Sequence, residues 1–420
     1  MSPIPQSQWS SRTHLVHDAA NAIGAGNRFR TIPLAINFGA ALTINPASAN
    51  RLERNPASIK PNHRGVPQGE CYHCGECDIG CDVNARNTLD TNYIPLAEST
   101  GRATVLPLHI VRNIEPISNG YRVAYERIRD GTLYPGSLTS RLVIVAAGSL
   151  GSTELLLRCR DVTGTLRGLS PRLGKNWTSN GDFLTPAIYA MRNPPPFPSD
   201  GPTITAVIDF LDRSQSDQSF WIQDGGFPNL LLVWLAGLGR GLPGPRNWML
   251  LDSLRAVIAG MASAGKTVAQ QARAGELSQI MPWFAQSVDA GDGQLSLKRR
   301  WWLFGARQLD LKWEITRSEP AINAVVEMHK KLCAATGGLP LVPASWSIFK
   351  DLITPHPLGG CSMADAPTMG VVNDAGEVFG YRNLFVADGA VFPRAIGVNP
   401  SRTIGALAER IAARIVAGDR

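Results

Sequence analysis

Two short apolar segments are each followed at once by a glycine turn, and this pattern constrains the fold more than any other feature of the chain. Leu142 to Ala146 leads through Gly148 into the helical pattern SLGSTELLLR, and Leu384 to Ala387 ends at Asp388-Gly389. Such continuous apolar runs are typical of strands buried on both faces of a parallel sheet. Ligands of these sheets lie at the carboxyl ends of the strands. We therefore predict an α/β domain with a ligand beside Gly148 and Gly389.

The C-terminal segment adds a histidine and a second helix. His356-Pro357 is followed by Gly359-Gly360, a side-chain-free turn that can press its backbone against a planar ligand. Asn399-Pro400 predicts a helix start, with Asn399 as the N-cap and Pro400 at the first helical position. We expect this helix to begin close to Asp388-Gly389 and to direct its N-terminus towards the ligand that His356 faces.

Several stretches of the chain resemble one known family. HPLGG, NLFVADGAVFPRA, GVNPSRTIGALAER and VIVAAGSLGSTELLL are similar to the glucose-methanol-choline (GMC) flavoprotein oxidoreductases, and within them to the cholesterol-oxidase-like branch. The resemblance implies an FAD-dependent enzyme that oxidises an alcohol. It implies that His356 and Asn399 lie over the flavin ring and meet the substrate hydroxyl. The cofactor contacts implied by the motifs are Val111, Gly148, Asp388, Gly389, Asn399, Pro400 and Thr403.

The dinucleotide-binding motif that opens GMC enzymes has no counterpart in this sequence. Gly24-Ala25-Gly26 lacks the preceding strand and the third glycine of G-x-G-x-x-G, whose helix start holds the FAD pyrophosphate. The resemblance therefore begins after the family's dinucleotide-binding half. We expect the chain, expressed alone, to expose the edges of its parallel strands and to purify without flavin.

The expected architecture is α/β plus α+β: an incomplete FAD-binding Rossmann-like domain with an antiparallel-sheet substrate domain. Residues 1–180 and 351–420 are assigned to the FAD-binding domain, and residues 181–350 to the substrate domain. Strands are predicted on both sides of Ser118-Asn119-Gly120, a hairpin turn, and in TITAVIDF, FWIQDGGFP and QLSLKRRWWLFGARQLDLKWEI. Aromatic residues that could line an apolar cavity or fill the core are Trp221, Phe227, Trp234 and Trp283. In cholesterol oxidases a glutamate of this domain reaches the reacting ring. Its nearest counterpart in this chain lies around Gln223-Asp224. A glutamine there would remove the base, which puts isomerase activity in doubt.

A cysteine-rich segment spans residues 71–81. Cys71, Cys74, Cys77 and Cys81 have the C-x2-C-x2-C-x3-C spacing of iron–sulfur ligands. Asp82 stands where such runs usually continue with proline, and similar segments followed by NARNTLDTNY occur in GMC relatives without implying a cluster. A thiol-rich structural loop is the preferred interpretation, with an iron–sulfur cluster and a zinc site as alternatives.

Composition limits the remaining function classes. The formal net charge of +7 is spread along the chain, without basic runs interleaved with aromatics, so nucleic-acid binding is not expected. The N-terminus does not resemble a signal peptide, and no apolar run is long enough to span a bilayer, so we expect a cytoplasmic protein. The predicted function is FAD-dependent oxidation of the CH–OH group of a small apolar alcohol, a steroid included, with oxygen or another electron acceptor. The alternatives are a non-catalytic homologue and an electron-transfer subunit built on the four-cysteine run.

Overall fold

The structure is a computed structural model that describes residues 1–39, 59–228, 277–300, 305–350 and 352–418. The chain forms two compact units. Unit 1 comprises Met1–Val105, Phe183–Ala285 and Asn323–Leu352, and unit 2 comprises Leu106–Asp182, Gln286–Ile322 and Ile353–Arg420. The changes of unit near residues 182 and 352 lie close to the predicted boundaries at 180 and 350. Residues 1–105 group with Phe183–Ala285 rather than with residues 106–182. The domain assignment stays a prediction.

Unit 1 is built on an antiparallel sheet. Its strands, in the sheet order β16-β10-β13-β12-β11-β2, are Leu339–Pro340, Phe183–Ile188, Ile280–Ser287, Phe220–Asp224, Ala206–Phe210 and Phe29–Thr31. Two small two-stranded sheets accompany it: β1 (Ser2–Pro3) with β3 (Pro33–Leu34), and β4 (Lys60–Pro61) with β5 (Pro67–Gln68). The helices are α1 (Ser11–Ala22), α2 (Tyr93–Ser99), most of α4 (Glu319–Thr336) and α5 (Ala344–Phe349). The antiparallel substrate-domain sheet expected from the alternating segments is therefore present.

Unit 2 contains the predicted parallel strands. Strand β9 (Val143–Val145) pairs in parallel with β17 (Leu384–Val386), and α3 (Gly148–Asp161) follows β9 directly. The other elements are the antiparallel sheet β6 (His109–Ile117), β7 (Gly120–Arg129) and β8 (Thr132–Ser140), the pair β14 (Gln294–Arg299) and β15 (Arg307–Lys312), and α6 (Ser401–Ala417). Val145, Leu384 and Val386 belong to the core of the unit, whereas Ile144 of β9 is 46% exposed.

Local sequence explains most of these elements. A hairpin forms at the predicted place, but its two turn residues are Ser118-Asn119, and Gly120 already pairs with Ile117. Gly120 has φ +128°, a value that favours glycine. Helix α1 ends before Gly24, which has φ +74°. Strand β8 was not predicted, because eight of its nine residues are exposed and its sequence has no regular apolar alternation. No helix within the described ranges is long and apolar enough to cross a membrane.

Candidate active site

His356 is held by the buried carboxylate of Asp182, the residue directly before β10. Its Nδ1 lies 2.8 Å from Oδ1 and 3.0 Å from Oδ2 of Asp182. The His356 side chain is 18% exposed and that of Asp182 is fully buried. The imidazole therefore has one edge fixed by the protein while part of the ring remains accessible.

The same carboxylate collects further donors from the segment that precedes His356. Thr354 Oγ1 donates to Asp182 Oδ2 at 2.6 Å, and the backbone N–H of His356 approaches the same oxygen at 3.2 Å. Burial raises the pKa of Asp182, and hydrogen bonds from His356, Thr354 and Gln286 oppose that rise. Asp182 thus fixes both the ring and the backbone of His356.

Two residues before Asp182, Asn180 holds the loop that leads to Asn399. Asn180 is fully buried, its Oδ1 accepts the N–H groups of Ile396 and Gly397 at 3.0 Å each, and its Nδ2 donates to the Val398 carbonyl at 2.8 Å. Its φ of +57° is a left-handed conformation that asparagine tolerates better than most residues. Asn180 therefore fixes the backbone immediately before Asn399.

Residues 178–182, which we call the positioning loop, are anchored by a second buried carboxylate. Asp289 Oδ2 accepts the N–H of Ser179 at 3.0 Å and its hydroxyl at 2.8 Å, and Asp289 Oδ1 accepts the Thr178 hydroxyl. Thr178 also exchanges two backbone hydrogen bonds with Leu358, at 3.0 and 3.1 Å. One short loop therefore holds both predicted catalytic segments. Sequence reasoning missed Asn180, Asp182 and Asp289; the signal available was the run of polar residues in TSNGD directly before a strand.

The prediction that Asn399 caps the last helix is wrong. Helix α6 begins at Ser401, Pro400 occupies the capping position with αR backbone angles, and no side chain caps the helix. Asn399 thus lies one residue before the cap, and its buried Oδ1 has no hydrogen-bond partner among the described residues. A buried acceptor such as Oδ1 of Asn399 requires a donor.

Thr403 lies in the exposed first turn of α6.

The helix does begin close to the Asp388-Gly389 turn. A Cβ added at Gly389 would lie 3.4 Å from the Cδ1 of Ile404, in the first turn of α6, and 3.7 Å from the Pro357 carbonyl oxygen. The backbone N–H of Gly359 donates to the Gly389 carbonyl at 2.9 Å. Gly389 therefore packs between the HPLGG segment and α6.

Protein atoms pack closely against Gly359 and Gly360, and contact of their backbone with a planar ligand stays a prediction. A Cβ at Gly359 would lie 2.0 Å from the Asn176 carbonyl oxygen, and one at Gly360 would lie 2.2 Å from Thr153 Oγ1. The side-chain-free turn therefore serves packing within the protein. Gly148 differs, since nothing lies within 4 Å of its Cβ position, so a ligand could approach its backbone.

The carboxylate of Asp388 links β17 to the start of α3. Its Oδ2 accepts the N–H of Gly148 at 2.8 Å and the hydroxyl of Ser152, and its Oδ1 accepts the N–H of Ala390 at 2.7 Å. A carboxylate at a helix N-terminus is stabilised by the helix dipole. The side chain of Asp388 is thus used within the fold, and a contact with the cofactor stays a prediction.

Val111, one of the predicted cofactor contacts, lies on the edge strand β6 and is 41% exposed. The register of β6 against β7 shifts between Val111 and Asn113. Such a bulge interrupts pairing and redirects a strand. The position suits a backbone contact with a ligand, and that contact stays a prediction.

The aromatic residues of unit 1 are divided among several environments. Trp283 is fully buried and its Nε1 donates to Tyr189 at 3.2 Å, so it is a core residue. Trp221 lies under the guanidinium of Arg30 at 5.6 Å, Phe227 is half-buried, and Trp234 lies outside the described residues. Trp283 therefore fills the core, and lining of a cavity by Trp221 and Phe227 stays a prediction.

Asp224, one of the two residues proposed as the counterpart of the cholesterol-oxidase glutamate, belongs to a buried ion pair. Its Oδ2 lies 3.0 Å from Arg12 Nη1, and both side chains are fully buried. Its Oδ1 accepts the N–H groups of Thr205 and Ala206. Asp224 therefore stabilises the fold of unit 1.

The cysteine-rich segment lies in unit 1, where it packs against Ile36 and Phe38. Cys71, Cys74, Cys77 and Cys81 are free thiols that line one small cavity. Burial raises the pKa of Cys71 to about 12 and also raises the pKa of Cys77. Within the described ranges, no group of three His, Cys, Asp or Glu side chains is placed to hold a metal ion. The structure thus gives the iron–sulfur prediction no support.

Comparison with known proteins finds similarity to one family of oxidoreductases. Residues 314–408 match the C-terminal family model of the GMC oxidoreductases. The chain is 28% identical to a cholesterol oxidase of Acinetobacter baumannii, over 94% of this chain and 69% of that protein. It is 34% identical to a long-chain-alcohol oxidase of Arabidopsis thaliana, over 87% of this chain and 48% of that protein.

A solved structure supports the same fold. Pyridoxine 4-oxidase from Mesorbium loti superposes with a TM-score of 0.53 at 16% identity, covering 99% of this chain and 71% of that one. The predicted resemblance and the mixed α/β fold class are confirmed. The chain is therefore an oxidoreductase whose residues 314–408 match the GMC family and which is similar to cholesterol oxidases over most of its length.

Proposed function

We propose that the protein oxidises an apolar alcohol in an FAD-dependent reaction, with His356 accepting the hydroxyl proton. The observation that carries this proposal is the contact between His356 Nδ1 and the buried Asp182 carboxylate. When Nδ1 donates to Asp182, the other ring nitrogen, Nε2, holds the lone pair and acts as a base. A hydride leaves an alcohol carbon as the hydroxyl proton is withdrawn, and imidazole suits that exchange near neutral pH.

Asn399 supplies the second polar contact of the proposed site. Its buried Oδ1 has no partner among the described residues, and a substrate hydroxyl or a ring N–H of the cofactor would satisfy it. The loop that carries Asn399 is fixed by Asn180, as His356 is fixed by Asp182. Both groups are therefore held before the substrate arrives, which lowers the entropic cost of reaching the reactive geometry.

The residues present fit the flavin that the family implies. Helix α6 has an N-terminus without a side-chain cap, and such a terminus favours negative charge. Gly148 leaves open space beside the start of α3. Asn399, Thr403 and Gly148 are the residues that we propose to hold FAD, which when bound accepts the hydride.

The substrate class is inferred from the relatives. Two of them are named as oxidases of cholesterol and of long-chain alcohols, and both substrates are a hydroxyl group on a large apolar body. We propose the same class for this protein, with a steroid or an aliphatic chain as the apolar part and oxygen or another electron acceptor in the second half-reaction.

Substitution of His356 tests the proposal. In enzyme purified with its flavin from native expression, His356→Gln should lower kcat with a sterol or fatty alcohol by about 10²–10⁴-fold, because the base is lost. Flavin content should be unchanged. His63→Gln, at an exposed histidine of unit 1, is the matched control and should retain the wild-type rate. Wild-type turnover in the His356 variant would end the assignment.

A further inference from the structure

The environment of Asp182 is selective for a group that only accepts hydrogen bonds. The hydroxyl of Thr354 and the backbone N–H of His356 both approach Oδ2 as donors, and Nδ1 of His356 lies 2.8 Å from Oδ1. An ionised carboxylate has no proton to donate. It can therefore accept from both donors and offers Nδ1 only an acceptor.

We propose that Asp182 is a positioning residue that selects the tautomer of His356 with the proton on Nδ1 and so directs Nε2 to accept the hydroxyl proton. This inference rests on the proposed function and assigns a role that the motifs do not. In the opposite tautomer, the Nδ1 lone pair would face a carboxylate oxygen at 2.8 Å, and a buried hydrogen bond would be replaced by repulsion.

Asp182 also stabilises His356 after the hydroxyl proton has been transferred to Nε2. Once Nε2 is protonated, the ring carries a positive charge, and the nearest carboxylate oxygen lies 2.8 Å away. Because Asp182 is fully buried, the attraction is only weakly screened by water. Burial raises the pKa of Asp182, and the imidazolium opposes that rise, so carboxylate and imidazolium stabilise each other.

Asp182 constrains the orientation of the ring as well as its protonation. It contacts Nδ1 of His356 and the backbone N–H of the same residue, so the side chain is held at two points. The backbone N–H also lies 2.9 Å from Thr354 Oγ1. A ring held in this way cannot turn Nε2 away from the substrate without breaking at least one buried hydrogen bond.

The test is the isosteric substitution Asp182→Asn, followed by nitrogen NMR of histidine-labelled protein. An amide presents a donor as well as an acceptor, so it no longer excludes the tautomer with the proton on Nε2. We expect the wild-type His356 signals to show the proton on Nδ1 and the variant to gain the Nε2-protonated form. His356→Gln identifies the His356 signals. In flavin-loaded enzyme, kcat should fall on the order of 10²-fold, with KM changed much less.

Asp289→Asn is the matched control, because Asp289 is also a buried carboxylate bound to the positioning loop but its hydrogen bonds do not include His356. It should leave the His356 tautomer unchanged. The inference is overturned if wild-type His356 carries its proton on Nε2, or if the tautomer and kcat do not change together in Asp182→Asn. The wild-type spectrum decides the first point even if the variant does not fold. Loss of the proposed function is a separate result, since it would appear as failure of the wild-type enzyme to oxidise any apolar alcohol.

Discussion

Asn180 provides a sharp test of whether the positioning loop organises the site. Removing its side chain leaves the N–H groups of Ile396 and Gly397 and the carbonyl of Val398 without their partner. Each buried group left unpaired costs about 1–3 kcal/mol. Water entering the vacated space offsets part of this cost, so we expect a total loss of about 2–4 kcal/mol in the free energy of unfolding.

Two substitutions separate the side chain from the backbone conformation. Asn180 has φ +57°, which glycine adopts without strain, whereas alanine there costs about 1–2 kcal/mol more. We therefore expect Asn180→Gly to be less destabilised than Asn180→Ala in urea unfolding. Both should lower kcat of the flavin-loaded enzyme, because displacement of a catalytic group by about 1 Å can cost 10²-fold.

Asn176 supplies the matched control. It is also an asparagine in the left-handed region, with φ +60°, and it precedes the positioning loop. Asn176→Gly should retain both stability and kcat. The reasoning would be refuted if Asn180→Gly lost stability but kept wild-type kcat and KM, since the loop would then not place Asn399.

Two predictions concern the stability of unit 1. Burial lowers the pKa of His329 from 6.5 to about 3. As the pH falls below 6.5, the unfolded chain therefore takes up a proton at this histidine while the folded protein keeps it neutral. The free energy of unfolding should decrease by about 1.4 kcal/mol per pH unit between these two pKa values. In urea unfolding measured between about pH 4 and 6, His329→Gln should reduce this dependence of stability on pH, whereas the exposed control His63→Gln should not. An unaltered slope in His329→Gln would contradict the reasoning. Arg12→Met should lower the free energy of unfolding by about 3–5 kcal/mol, because it leaves Asp224 as a buried charge without its counter-ion. The exposed control Arg129→Met should lower it by less than about 0.5 kcal/mol. Equal losses in the two variants would show that the buried pair does not stabilise the fold.

Local patterns predicted the elements but not the contacts that organise the site. The apolar runs around Val143 and Leu384 predicted buried parallel strands, since that signal is carried by consecutive residues. The contacts of Asp182 with His356 span 174 positions of the chain. Nothing in local periodicity encodes such a contact.

The error at Asn399 has a local cause. Asn-Pro satisfies the preferences of a helix start at two registers, and the structure adopts the later one, with Pro400 at the cap. The paired glycines show a different limit, since glycine permits close approach by any neighbour. At Gly359 one such neighbour is the carbonyl of Asn176, which only the tertiary structure could reveal.

The central claim is that this protein transfers hydride from an apolar alcohol to FAD while His356 accepts the hydroxyl proton. Its most direct test is anaerobic mixing of natively purified, flavin-loaded enzyme with a sterol and with a long-chain alcohol, while the absorbance of oxidised flavin is followed. We predict that at least one alcohol bleaches the flavin and that His356→Gln slows the bleaching by about 10²-fold or more. A natively purified, flavin-loaded wild-type enzyme whose flavin no apolar alcohol reduces would contradict the account.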